Sequence, residues 1–213
     1  MTPDLPRALR PALVVATEAE AAPLRDFGVP VAVSGIGAVN AALATTELIA
    51  SERADLVVNV GIAGAYDRAG LRPGDLVVAS EVIYGALGAV DGARFLPLDE
   101  LGFPLLPGLF NRLPVWTGSE ALARALGAAF GPVVTVETVT GDAGAARVLQ
   151  DRWPGALAEG MEGAGAAHAA LRLGVPCVEL RGVSNAVGPR DRSSWEIGGA
   201  LRAVRGALRT WLT

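Results

Sequence analysis

The strongest constraint on the fold is an alternation of two kinds of segment along the chain. Short runs rich in β-branched residues, which favour strands, take turns with longer alanine-rich stretches, which favour helices. This alternation is typical of α/β folds. The 213 residues and the 51% hydrophobic content suit one domain with one sizeable core. We therefore predict a single α/β domain, residues 1–213, in which helices flank a mixed, largely parallel central sheet.

The same pattern predicts where the strands and helices lie. Strands are expected at residues 13–16, 29–33, 56–60, 76–83, 133–139 and 175–180. Helices are expected at residues 18–27, 38–52, 119–129, 143–151, 163–173 and 194–212. Between residues 84 and 116 the periodicity fails and prolines interrupt apolar residues, which predicts an irregular lid or interface element.

The scarcity of some residue types excludes several classes of function. Every basic residue is arginine, which excludes a lysine Schiff base and a lysine-dependent phosphate loop. A single cysteine, Cys177, and a single histidine, His168, exclude a disulfide framework and a multi-histidine metal site. The formal charge of −4 and the absence of basic clusters argue against nucleic acid as a partner. We expect no metal and no nucleic-acid partner.

Two segments bear on where the protein resides. Residues 1–10 contain two prolines and Asp4, which does not fit a targeting segment. The uncharged run at residues 28–46 contains Pro30 and several glycine and polar residues, so a strand, a turn and a helix start are predicted there rather than a membrane span. We expect a cytoplasmic protein with no membrane partner.

Polar residues follow several predicted strands at their carboxyl ends, where open α/β sheets bind small ligands. Glu20 follows the first strand, Gly61 the third, and Asn185 the last, which we interpret as an apolar strand. Glu162, beside Met161, begins a predicted helix of small residues. These segments are therefore expected to meet at one crevice.

Each side chain in this set suits one part of a nucleoside. Glu162 can accept hydrogen bonds from two ribose hydroxyls, and Met161 can pack against the sugar. Glu20 can orient and deprotonate water. The amide of Asn185 can donate its two hydrogens to O6 and N7 of a 6-oxopurine. Taken singly, each residue has a simpler structural explanation as a helix-start carboxylate or a turn residue, so the hypothesis of nucleoside cleavage depends on the whole set.

Four short motifs make the chain resemble the purine and uridine phosphorylase superfamily along nearly its whole length. Residues 16–20 are similar to the segment that ends in the family's catalytic glutamate, and residues 34–37 to its glycine turn. Residues 59–64 are similar to the ribose-side loop, and residues 160–162 to the Met-Glu pair that holds the sugar. The resemblance implies a three-layer nucleoside phosphorylase-like fold. It also implies a homodimer or a larger homo-oligomer, because relatives complete their site with a loop from a neighbouring subunit.

The resemblance also implies roles for single residues and a small-molecule nucleoside as substrate, with no cofactor. Glu20 and Asn185 are the implied catalytic residues. Substrate binding is implied for Gly35, Gly61, Met161, Glu162 and Phe103. An aromatic carboxylate tail on the substrate is expected to contact residues of the irregular segment: Phe95, Phe103, Phe110, Arg94 and Arg112.

Asn185 and Asn40 indicate which branch of the superfamily this chain resembles. Adenosine-cleaving relatives carry aspartate where this chain has Asn185, and an amide suits a 6-oxopurine such as hypoxanthine. Residues 184–193 most resemble the futalosine hydrolase family of menaquinone biosynthesis. Phosphorylases need a small hydroxyl residue where this chain has Asn40, so we prefer hydrolysis to phosphorolysis. The alternatives are a nucleosidase acting on methylthioadenosine, S-adenosylhomocysteine or aminodeoxyfutalosine, and a purine-binding module without catalysis.

Overall fold

The computed structural model of the protein describes residues 9–213, so residues 1–8 of the N-terminal segment considered above lie outside the described part. The strands in the described part are β1 (Pro11–Val15), β2 (Val31–Val33), β3 (Leu56–Ala65), β4 (Leu76–Tyr84), β5 (Gly88–Asp91), β6 (Arg94–Pro97), β7 (Arg112–Pro114), β8 (Ala129–Thr135), β9 (Ala158–Gly160) and β10 (Cys177–Ala186). The α-helices are α1 (Glu18–Ala21), α2 (Ala38–Glu52), α3 (Leu98–Leu101), α4 (Ser119–Leu126), α5 (Ala143–Arg152), α6 (Gly163–Arg172) and α7 (Ile197–Leu212).

The central sheet closes partly on itself. Strand β10 pairs in parallel with β3 and antiparallel with β4. From β4 the pairing continues through β8 and β9 back to β3, so five strands form a barrel-like ring. Strands β1 and β2 extend the sheet in parallel from β3, and β7 pairs antiparallel with β4. The sheet is therefore mixed and largely parallel, which confirms the predicted fold class.

Helices cover both faces of this sheet. Val57 of β3 packs into a cluster with Leu48 of α2 and Ala167 of α6. The next residue, Val58, packs into a second cluster with Leu208 of α7, because successive side chains of a strand point to opposite faces. The sheet is thus buried on both sides between two helical layers, and the predicted three-layer arrangement is confirmed.

Small residues let α6 lie very close to α2. A Cβ atom placed on Gly165 would come 1.8 Å from the carbonyl oxygen of Ala38, a distance that no side chain can occupy. This close approach explains the run of glycine and alanine in α6. It also brings the start of α6, where Glu162 lies, against the backbone that enters α2.

Several predicted elements end at different residues in the structure. The helix at 38–52 is confirmed as α2, but the first predicted helix is only α1 followed by a 3-10 segment, Ala22–Phe27, which contains Pro23. Strand β3 continues to Ala65, and β8 ends at Thr135 rather than residue 139. Boundaries moved where pairing with a neighbouring strand, which sequence periodicity does not record, extended or cut the element.

The segment between residues 84 and 116 is more regular than expected. It contains the β5–β6 hairpin, the short helix α3 and strand β7. Asn111 organises it, because this buried side chain accepts from the Leu98 amide and donates to the carbonyls of Tyr84 and Leu87. A buried asparagine satisfies loop backbone groups here, and such a role has no periodicity to reveal it.

Candidate active site

A cavity of about 480 Å³ opens beside the carboxyl ends of β1, β3 and β10. It is lined by four of the side chains that the sequence selected, namely Glu20, Met161, Glu162 and Asn185. The four come from α1, the segment before α6 and the end of β10. Residues that lie far apart in the sequence thus share one cavity, as expected.

Glu20 is held firmly by the turn that precedes α1. Thr17 and Glu20 form a capping box, in which the Thr17 hydroxyl accepts from the Glu20 amide and the Glu20 carboxylate accepts from the Thr17 amide. The same oxygen, Oε2, also accepts from the Ala16 amide at 3.1 Å. The other oxygen, Oε1, accepts from the Ile62 amide at 3.2 Å and keeps room to accept from water.

Glu18 is less suited than Glu20 to act as the general base. Its side chain is exposed and pairs with Arg25 at 2.8 Å on the surface. Glu20 is only 8% exposed and lines the cavity. Of the two carboxylates in α1, only Glu20 can therefore act on a molecule bound in the cavity.

Glu162 lies at the N-cap position of α6 and is 6% exposed. Its Oε1 atom accepts from the Gly37 amide at 3.2 Å, and its Oε2 atom lies 3.5 Å from Nη1 of Arg181. The glycine turn before α2 therefore supplies a donor that orients the carboxylate. Because one lone pair or more remains on each oxygen, Glu162 can still accept from ligand hydroxyls.

Arg181 is a buried cation that was not predicted from the sequence. It is 1% exposed, and its guanidinium donates to Glu179 at 2.9 Å and to Oδ1 of Asn59 at 2.5 Å, besides approaching Glu162. Strand β10 was interpreted as apolar, yet Glu179 and Arg181 lie two residues apart within it and are both buried. Charges spaced by two in an otherwise apolar strand were the available signal for a buried ion pair.

Burial and charge set the protonation of this cluster. Burial raises the pKa of the Glu179 carboxyl, although the adjacent Arg181 guanidinium acts in the opposite direction. Desolvation acts to lower the pKa of Arg181, but the carboxylates of Glu179, Glu162 and Glu20 outweigh it, so the pKa is raised. Arg181 therefore remains a cation between the two carboxylates that line the cavity.

Asn185 presents an amide of fixed orientation to the cavity. Its Oδ1 atom accepts from the Ser184 hydroxyl at 2.7 Å, and its Nδ2 atom donates to the Ala186 carbonyl at 2.9 Å. One amide hydrogen therefore remains free to donate to a ligand, one fewer than was predicted from the sequence.

The two glycines predicted to bind substrate act through their lack of a side chain. A Cβ atom on Gly61 would lie 2.6 Å from Oε1 of Glu20 and 2.7 Å from Nη1 of Arg181, so glycine allows both charged groups to reach the backbone. Gly35 adopts a positive φ of 86° in the turn whose next residue, Ile36, lines the cavity. Neither glycine itself is among the residues that line the cavity.

Phe103 and its neighbours in the irregular segment lie away from this cavity. None of residues 85–116 lines it, and Phe103 is 68% exposed, so the segment forms no lid over the cavity within the described chain. Arg94 and Arg112 instead pair with Glu100 and Glu81. Phe95 packs against Trp153.

The wall of the cavity near α7 combines apolar surface with one arginine. Trp195, Ile197 and Leu201 line it, and the guanidinium of Arg190 lies 5.3 Å from the centre of the Trp195 ring. This pairing of an aromatic side chain with a cation fits a ligand that is itself aromatic and anionic. Such a wall was predicted to come from the irregular segment, but residues that follow β10 form it instead.

Residues 9–213 contain no group of three or more histidine, cysteine, aspartate or glutamate side chains arranged to hold a metal ion. Within the same residues, no helix is long and apolar enough to cross a membrane.

Comparison with known proteins agrees with this geometry. Residues 14–209 match the model of the phosphorylase superfamily. A futalosine hydrolase of Streptomyces coelicolor is 50% identical over 155 residues, which cover 72% of this chain and 63% of that protein. A futalosine hydrolase of Acidothermus cellulolyticus is 43% identical over 177 residues, which cover 83% of this chain and 72% of that protein. This chain thus spans less than two thirds of the Streptomyces relative.

A solved structure supports the same grouping at the level of the fold. The methylthioadenosine/S-adenosylhomocysteine nucleosidase of Colwellia psychrerythraea, determined in complex with adenine, superposes with a TM-score of 0.80 at 27% identity. The superposition covers 97% of this chain and 95% of that chain. By sequence and by structure, this chain belongs to the phosphorylase superfamily, in which it groups with the futalosine hydrolases.

Proposed function

We propose that this protein hydrolyses futalosine, breaking the bond between C1′ of the ribose and N9 of the base and releasing hypoxanthine. The observation that carries the proposal is that Glu20, Glu162 and Asn185 line one cavity. The similarity to futalosine hydrolases supports the substrate and, with it, a place in menaquinone biosynthesis. Each residue then has a separate task.

Glu162 binds the ribose in this proposal. Its carboxylate accepts hydrogen bonds from the 2′ and 3′ hydroxyls, while the Gly37 amide and Arg181 keep it in place. As the glycosidic bond lengthens, the ribose gains positive charge. The buried carboxylates of Glu162 and Glu20 favour that charge, because fixed charges act strongly where water is excluded.

Glu20 directs the water. Its Oε1 atom accepts a hydrogen bond from a water molecule whose oxygen forms the new bond to C1′ as the C1′–N9 bond breaks. The electron pair of the broken bond leaves with the base. Glu20 takes one proton from the water and releases it to solvent, and the leaving base takes one proton from solvent, so the products are the free sugar and neutral hypoxanthine.

Asn185 stabilises the departing base. Its free amide hydrogen donates to the O6–N7 edge of hypoxanthine, while the Ser184 hydroxyl fixes the direction of the amide. An amide has no proton to release at neutral pH, so Asn185 acts by hydrogen bonding alone. This assignment favours a base with an acceptor at position 6.

The wall formed by Arg190 and Trp195 is the proposed site of the substrate tail. Futalosine carries an aromatic carboxylate at the far end of its sugar. Trp195 offers a ring on which the aromatic group can pack, and Arg190 offers a cation for the carboxylate. Methylthioadenosine has no carboxylate for this arginine.

Hydrolysis rather than phosphorolysis is supported by the surroundings of the glycine turn. The Asn40 amide donates to the Ile36 carbonyl at 2.8 Å, and Arg25 is paired with Glu18 at the surface. These two groups therefore do not form a cationic cradle for phosphate. The enzyme needs only water as its second substrate.

A homodimer or a larger homo-oligomer remains part of the proposal. Ile36, Val39 and Leu43 are exposed apolar side chains at the start of α2, and Ile36 also lines the cavity. A second copy packed there would bring its own residues to the cavity, and exposed Phe103 is our candidate among them. A cytoplasmic location is likewise proposed.

The test is to incubate the protein with futalosine, inosine and methylthioadenosine in phosphate-free buffer and to identify the released base. We expect hypoxanthine from futalosine at the highest kcat/KM. Adenine from methylthioadenosine as the main product would replace this function by the adenosine-type alternative. Binding of hypoxanthine without turnover of any nucleoside would indicate a purine-binding module.

A further inference from the structure

Glu159 is a buried carboxylate on the cavity wall that the proposed mechanism does not use. It lies in the middle of β9 and is 6% exposed. Its Oε1 atom accepts from the Thr140 amide at 2.8 Å, and its Oε2 atom accepts from the hydroxyls of Thr140 and Tyr66 at 2.7 and 3.0 Å. An ionised carboxylate can accept about four hydrogen bonds, so one position on Oε1 stays open.

Glu159 and Asn185 face each other across a glycine. In the sheet, Gly64 of β3 is paired with Asn185 of β10 on one side and with Glu159 of β9 on the other. Directly paired residues place their side chains on the same face of a sheet. Adjacent strands lie about 4.8 Å apart, so the two polar residues are about 9–10 Å apart at their backbones.

Gly64 keeps the space between them open. A Cβ atom there would lie 3.3 Å from Nδ2 of Asn185 and 2.9 Å from Cγ2 of Val187, which places the missing side chain inside the cavity. The backbone of Gly64 thus forms the base of a narrow slot. The Asn185 amide is the donor on one side of the slot, and the Glu159 carboxylate is the acceptor on the other. A flat heterocycle that carries an acceptor and a donor on its polar edge matches this slot.

We propose that Glu159 is a second specificity-determining residue, which accepts a hydrogen bond from N1–H of a 6-oxopurine. This inference rests on the proposed function, since it requires a purine base in the cavity. A 6-oxopurine carries an acceptor at O6 beside a donor at N1–H, and Asn185 and Glu159 complement the two groups. A 6-aminopurine carries a donor at its 6-amino group and an acceptor at N1, which has no hydrogen. Its N1 lone pair would therefore face the Glu159 carboxylate, and two acceptors would meet.

The neighbours of Glu159 keep it an acceptor. The Tyr66 hydroxyl is buried, and burial together with the Glu159 charge raises its pKa, so it remains a donor. The Thr140 amide has no other state. The two oxygens of Glu159 thus accept from three donors, so the side chain already serves as an acceptor towards its neighbours.

The main test is Glu159→Leu, which removes the acceptor, assayed with futalosine and with its 6-amino analogue. We expect the ratio of kcat/KM for the 6-oxo over the 6-amino substrate to fall about 100-fold, because the 6-oxo substrate loses the acceptor for its N1–H while the 6-amino substrate loses only an unfavourable neighbour of its N1. The matched control is Glu52→Leu, the same substitution at an exposed carboxylate at the end of α2, which should leave the ratio unchanged. Equal losses on both substrates would mean that Glu159 only holds Thr140 and Tyr66, and would overturn the inference.

A second measurement needs no variant and tests the inference even if Glu159→Leu does not fold. Hypoxanthine and 1-methylhypoxanthine are compared as inhibitors of the wild-type enzyme, and the methylated base, which lacks N1–H, should bind about 100-fold more weakly. Equal inhibition by the two bases would overturn the inference. Absence of hypoxanthine release from futalosine by the wild type would instead mean that the proposed function has failed.

Discussion

At the end of the cavity assigned to the sugar, Glu20 and Glu162 surround the buried cation Arg181, whereas at the end assigned to the base Asn185 and Glu159 are held by neutral donors. The first arrangement is an ionic network in which each charge depends on another. The second consists of separate hydrogen-bonding groups. We infer that the base end can change its substrate preference without loss of the chemistry, while the sugar end cannot change at all without loss of activity or folding.

The largest expected effect is at the sugar end, in Glu20→Gln. The variant should keep the capping box and bind substrate, but lose roughly 10²- to 10⁴-fold in kcat, the usual scale for removal of a general base. Steady-state kinetics with futalosine measure the loss. Turnover at the wild-type level would show that another residue is the general base and would contradict the role assigned to Glu20.

Arg181→Met should lower the free energy of unfolding and not turnover alone. It leaves Glu179 and Glu162 buried beside no cation, and breaking a buried ion pair in this way typically costs about 3–5 kcal/mol of unfolding free energy. Urea denaturation followed by circular dichroism measures it. Arg124→Met, which removes an exposed pair with Glu120, is the control and should change stability little. Similar stability of the two variants would contradict the ionic network.

Asn185→Asp tests the base end. An ionised carboxylate opposes O6 of futalosine but can accept from a 6-amino group, so kcat/KM should fall sharply for futalosine and fall less, or rise, for the 6-amino analogue. The assays should be run at several pH values. Partial recovery of futalosine cleavage at low pH is expected, because a protonated aspartate can again donate. An unchanged preference at every pH would show that Asn185 does not read position 6.

The smallest expected effect is at the wall near α7. Arg190→Ala should raise KM for futalosine up to about tenfold, the scale of one exposed charged contact, and leave inosine, which has no tail, unaffected. Parallel kinetics on the two nucleosides measure the difference. A similar change in KM for both would mean that Arg190 acts through the loop it belongs to and not through the tail.

Much of the fold and the chemical end of the site could be predicted from sequence. The alternation of strand and helix patterns indicated the sheet and its helical layers, and Glu20 and Glu162 each stand where a strand or loop meets a helix. Such positions are marked by local signals, including the capping box around Thr17. Asn185 was marked by the turn residues that surround it.

What could not be predicted depends on pairing between distant segments. Glu159 lies in a strand of three residues, too short to show a period, and its place opposite Asn185 follows only from the register of β3 with two partners. Arg181 was overlooked because its strand was interpreted as apolar. The tail-binding wall was sought among the aromatic residues of 84–116, but the way the chain folds after β10 brings Arg190 and Trp195 to the cavity instead.

The most direct test of the difference between the two ends is the selectivity ratio, kcat/KM for futalosine over that for its 6-amino analogue, measured side by side in wild type, Glu20→Gln and Asn185→Asp. Glu20→Gln should lower both values by the same factor and leave the ratio unchanged, because it acts on water and not on the base. Asn185→Asp should lower the ratio by about 100-fold. A ratio that shifts as much in Glu20→Gln as in Asn185→Asp, or that stays constant in both, would contradict the separation of chemistry from base selection.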